Sequence, residues 1–138
     1  MRSDVLNESS GASNLKSKVV TLAAADITLT EEDSGKVFIV SQAAEHDITL
    51  PATSIAGWNA KFIVGTAGSN DVDIVAGTAD TMKGLEVSNT AAAIDAADKC
   101  TFVASNAIVG EYVEVISDGS SLWTAQFAVA ANAASSAG

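Results

Sequence analysis

The sequence predicts an all-β protein: one antiparallel β-sandwich of jelly-roll type, preceded by an extended N-terminal arm. Three observations carry that expectation. From Val19 onward, short runs of Val, Ile, Leu and Phe alternate with turn residues, a spacing that suits sandwiches and barrels better than βαβ units. Within the runs apolar and polar side chains alternate, as in Asp47-Ile48-Thr49-Leu50, which gives each strand one face for a core. The stretch from Glu111 to Phe127 reads as a hairpin, with strand formers on either side of a short polar connection through Asp118-Gly119. A chain of 138 residues suits one domain, since about two thirds of its unfolded surface can be buried around a single core.

Taken in order, residues 1–18 are rich in Ser, Asn and Gly and lack periodicity, so they read as an arm, either extended or frayed. Strands are expected near 19–23, 26–29, 36–41, 46–50, 59–66, 72–75, 84–88, 99–105, 111–117 and 122–128. Thr30 to Gly35 offers a capping threonine, three acids and an exit glycine, which predicts a single helical turn. Pro51 has no N–H for a ladder, so 51–57 is expected to connect two strands. Asn89 to Ala97 lacks an apolar stripe and is expected to form a loop. The recurrence of Asp26-Ile27-Thr28-Leu29 as Asp47-Ile48-Thr49-Leu50 is too short to establish a repeat and reads as coincidence. The divisions are therefore an arm (1–18), a β-sandwich (19–128) and a small-residue tail (129–138).

Net charge is −10, which disfavours nucleic-acid partners because phosphate backbones repel an acidic surface. The charge is uneven. Arg2, Lys16 and Lys18 face two acids in residues 1–18, net +1, whereas the remainder carries four lysines against 15 acids, net −11. After Asp118 no charged side chain occurs. No stretch approaches the roughly 20 apolar residues of a membrane helix, so no membrane partner is expected. The opening MRSDVLNESS does not resemble a secretory signal, and synthesis in a cytoplasm is expected.

Reaction chemistry is nearly silent. His46 is the sole imidazole; flanked by Glu45 and Asp47 on a strand, it reads as a strand-edge residue, and no serine lies in a nucleophile-elbow pattern. Cys100 alternates with Phe102 and reads as a buried small hydrophobe, since a single cysteine builds neither an internal disulfide nor a structural zinc site. Asp71 and Asp73 share one face of an extended segment, a pairing that suits calcium, but the spacing of a calcium loop is missing and a solvated acidic edge is the better reading. Trp58 and Trp123 are candidate interface aromatics, with core packing as the default for both. The expectation is no enzyme, no catalytic residue, no cofactor and no resident metal.

The segments LTEEDSGKVFIV (29–40), DITLPA (47–52), GWNAKFIVG (57–65), MKGLEV (82–87) and CTFVASNAIVGEYVEVISDGSSLW (100–123) resemble a small β-rich structural protein of tailed bacteriophages, the capsid decoration or cement proteins, marine types especially. The resemblance covers about 26–126 and carries no transferable binding residue. It implies a homotrimer on the outside of an icosahedral head, with the major capsid protein as partner and the virion as location. Arg2, Lys16 and Lys18 are then the candidate capsid contacts, through a basic arm laid on the shell. A head- or tail-fibre domain binding a host surface glycan is the alternative expectation.

Overall fold

The computed structural model describes residues 16–53, 55–77, 80–88, 91–129 and 134–136, so Arg2 and most of the expected arm lie outside the described residues. The strands are β1 (Val19–Thr21), β2 (Ile27–Thr28), β3 (Val37–Ser41), β4 (His46–Thr49), β5 (Asn59–Thr66), β6 (Val72–Val75), β7 (Thr81–Val87), β8 (Ala91–Ala97), β9 (Lys99–Phe102), β10 (Tyr112–Ser117), β11 (Leu122–Ala128) and β12 (Ala134–Ser136). One sheet has seven strands in the order β1-β3-β5-β10-β11-β7-β8, the other five in the order β12-β9-β6-β4-β2. The all-β expectation holds. No helix among the described residues is long and apolar enough to cross a membrane.

The pairing is mixed, not wholly antiparallel as expected. β1, β3 and β5 are parallel neighbours in one sheet, and β2, β4 and β6 are parallel neighbours in the other. Consecutive strands up to β7 therefore alternate between sheets, and the first six wind as three stacked two-stranded coils. Parallel neighbours need a long crossover; here each crossover contains a strand of the opposite sheet where an α/β protein would place a helix. The second half closes this stack with antiparallel partners: β10 on β5 and β9 on β6.

The coils explain the short repetition that the sequence seemed to show by coincidence. Ile27 pairs with Ile48 and Ile48 with Ile74, while Thr28 pairs with Thr49 and Thr49 with Val75. The two copies of Asp-Ile-Thr-Leu are adjacent rungs of one ladder. On the seven-stranded side Phe38 pairs with Phe62, and their rings stack with centroids 5.3 Å apart and planes 15° from parallel. In-register parallel strands place equivalent residues side by side, so like residues recur once per coil and only over the strand portion.

Local expectations fare unevenly. Thr30 precedes a 3-10 turn at Glu31–Asp33, and its N–H donates to Asp33 Oδ2 at 2.9 Å. Gly35 follows with φ +82°, where a side chain would strain. The expected connection after Pro51 is present and leads into β5. The loop expected at 89–97 is instead largely strand β8, paired antiparallel with β7 and held by Ile94, which is buried. Cross-strand pairing overrides alanine's weak strand preference there. The tail returns as β12 along β9.

The core lies between the sheets and is fixed by three aromatic pairs, Phe38 with Phe62, Trp58 with Trp123, and Phe102 with Phe127. Each end is tied by polar side chains. At one end Gln42, fully buried, donates to Asn70 O and Phe102 O and accepts from the Gly68 N–H at 3.0 Å. At the other, Ser117 Oγ donates to Thr53 O and Thr53 Oγ1 donates to Ser120 O at 2.6 Å. Asp118 accepts N–H groups of Ser120 and Leu122 across the β10–β11 connection, which holds its carboxyl below the usual range.

Candidate interaction surfaces

Each sheet has an inner face in the core and an outer face toward solvent, because successive side chains point to opposite sides. The two outer faces differ in chemistry.

On the five-stranded sheet the outward positions of adjacent coils carry aspartates. Asp47 pairs with Asp73, and the Asp47 N–H donates to Asp26 Oδ1 at 2.9 Å. Asp73 accepts Lys99 Nζ at 2.7 Å and Thr101 Oγ1 at 2.6 Å. The bond to Asp73 raises the Lys99 pKa against a lowering by burial, with Asp47 and Asp98 adding to the rise. Asp71 points elsewhere and accepts the Ala104 N–H at 2.6 Å. Asp71 and Asp73 are thus fastened separately, and β6 lies between β4 and β9, not at an edge. The expectation of a solvated acidic edge is corrected accordingly. Among the described residues no group of three or more His, Cys, Asp or Glu side chains is placed to hold a metal ion.

The seven-stranded face is charge-balanced and arranged in rows across its strands. Register places Val87 beside Ala128, Ala128 beside Tyr112, Tyr112 beside Ile63, and Ile63 beside Ile39. This row contains no charge and crosses five strands. The next row runs Leu85, Gln126, Glu114, Lys61, Val37 and Val19. Lys61 holds its ammonium 4.2 Å from the centre of the Tyr112 ring, and Lys83 pairs with Asp95 at 3.0 Å. A groove of about 430 Å³ crosses this face between Lys36, Asn59, Lys61, Glu114 and Gln126. A shallower depression of about 420 Å³ lies at the end of the apolar row, bounded by Val87, Tyr112, Ala128 and the loop residues Ile108 and Val109.

The singled-out residues are distributed without convergence. Trp58 and Trp123 are 1% and 0% exposed, packed edge to face at 5.5 Å, so neither is an interface aromatic. Their size favours the gap between the sheets, and Trp58 Nε1 donates to Thr30 O at 3.0 Å. His46 is also buried, which corrects the strand-edge reading: its Nδ1 donates to Ala44 O at 2.8 Å, and Nε2 has no hydrogen-bond partner among the described residues. It shares the inner face of β4 with Ile48, two residues on, because alternate side chains of a strand point the same way, and β4 lies within its sheet, not at an edge. Cys100 is buried as expected, and desolvation, aided by the Glu86 carboxylate, pushes its thiol up to about 12. Lys16 and Lys18 are exposed. The Lys18 carbonyl accepts the Val37 N–H at 2.9 Å, so the expected arm is already part of the ladder at that residue.

Sequence reasoning missed Gln42 and the apolar row. Gln42 carried no signal, because a lone glutamine after a strand is ordinarily exposed. The row's members are far apart in the chain and meet only through register. Comparison with protein-family models, with curated proteins and with solved structures gave no match.

Proposed function

We propose that this protein is a non-enzymatic decoration protein of a tailed bacteriophage head, made in the host cytoplasm and bound as a homotrimer to the outside of the shell formed by the major capsid protein. The observation that carries the reading is a stiff stack of strands with two broad outer faces of different chemistry, one acidic and one charge-balanced and partly apolar. Such a block suits adhesion by area. Three modest footprints in one rigid assembly act at high effective concentration, so a shell subunit must break several contacts before it moves outward. Lys16 and Lys18, with Arg2 nearer the N-terminus, supply cations for the contact with the shell.

The test is to strip the protein from particles and measure the temperature at which heads rupture. A fall on removal and recovery on re-addition is expected; an unchanged rupture temperature rejects the reading. A glycan-binding fibre domain is the second reading, and the groove between Asn59, Glu114 and Gln126 is the feature that favours it. It predicts glycan-array binding that Gln126→Ala abolishes, whereas the cement reading predicts no such binding.

A further inference from the structure

We propose that the apolar row of the seven-stranded sheet, together with Ile108 and Val109 at its end, is the surface through which copies of this chain associate. The inference rests on the homotrimer reading and names the side chains that would make it.

Exposure is the first argument. Seven large apolar side chains among the described residues stand notably open to water, and six of them lie on this face or its rim: Val19, Leu85, Val87, Ile108, Val109 and Ile116. Val109 is 63% exposed and Ile108 53%, higher than any core position by a wide margin. Isolated exposed apolar residues need no explanation, but a concentration on one face marks a contact surface. Burying the row would remove apolar area from water at about 25 cal/mol per Å².

Charge selects the occupant. A molecule with net charge −10 repels its own copies wherever acidic surfaces meet. The aspartate face is such a place, and a basic partner would be drawn there. On the seven-stranded face Lys83 pairs with Asp95, Lys61 lies over the Tyr112 ring and opposite Glu114 in register, and the apolar row has no charged member. This is where like-charged copies meet at least electrostatic cost, and depletion of charge is what the buried centre of a protein interface requires.

Shape points the same way. Exposed Ile108 and Val109 form one wall of the depression of about 420 Å³ that Val87, Tyr112 and Ala128 also line, with the buried Glu111 at its base, so apolar rim and hollow belong to one patch. A copy rotated about a three-fold axis can present its rim to its neighbour's hollow, the head-to-tail contact that closes into a ring. Continued along the row, the contact has the breadth from which the usual footprint of about 800 Å² per partner can be built.

The test is the solution mass of the full chain by light scattering, for wild type, Val87→Lys, Val109→Lys and a control, Asp47→Asn, on the outward face of the five-stranded sheet. Wild type and control are expected to run as trimers, and the two face variants at one third of that mass with wild-type secondary structure by circular dichroism and a cooperative, lower melting transition, since association itself stabilises the fold. Those variant sites are exposed, so the fold should tolerate lysine. Face variants that keep the wild-type mass overturn the inference, and so does a wild type that is monomeric at high concentration. A trimer that fails to restore head rupture temperature rejects the decoration reading while leaving this surface standing, which separates the two.

Discussion

Trp123 and Cys100 show at the level of single residues how burial sets behaviour. Trp123 is fully enclosed and touches Trp58 edge to face, so Trp123→Ala leaves a cavity between the sheets. The expected cost is about 3–5 kcal/mol of stability by denaturant titration. A loss of shell binding without a loss of stability would show that the ring acts at a surface instead. For Cys100, the folded thiol is raised to about 12 from an ordinary 9.0, so the folded protein holds its proton where the unfolded chain releases it. The contribution is present in full below about pH 9 and is lost as pH rises through the folded value. Cys100→Ala is therefore expected to lose less stability than wild type between pH 9 and 11 in alkaline denaturation. Native Cys100 should react with thiol reagents only as fast as the protein opens.

Among the elements, β7 is the most exacting. Gly84 in its middle has φ +156°, and a Cβ there would lie 1.8 Å from the Ala125 carbonyl oxygen of β11. The glycine lets two parallel strands close where the β7–β8 pairing shifts register between Met82 and Gly84. Gly84→Ala is expected to cost about 3 kcal/mol or more, read as a lowered denaturation midpoint. A substitution that melts with wild type would mean that β7 and β11 are not this close. The coils place less demand on any single residue, because each rung is supported by the next.

For the molecule as a whole, the coil stack and its antiparallel closure make one continuous pair of sheets, so footprints on either outer face are held rigidly together. Removing residues 1–15 leaves Lys18, whose carbonyl receives the Val37 N–H. The shortened protein is expected to melt within a few degrees of wild type. The proposed decoration role further predicts weaker co-sedimentation with stripped heads, and undiminished co-sedimentation would remove the arm from that proposal.

Strand content, the turn at Glu31–Asp33, the hairpin through Asp118-Gly119 and the burial of Cys100 are legible in the residues themselves, because each follows from nearest neighbours, alternation or turn chemistry. The sequence also contained the coil repeat, in the form of two matching tetrapeptides whose third rung, Asp73-Ile74-Val75-Ala76, keeps only the first two residues of the pattern. That these rungs are parallel, that Ala91–Ala97 is a strand, that His46 faces inward, and that Val87, Ala128, Tyr112, Ile63 and Ile39 form one row emerges from strand pairing in the folded molecule. Pairing direction and register are set by which strands meet across long connections. That choice is made by the fit of the whole core, and no local stretch of sequence encodes it.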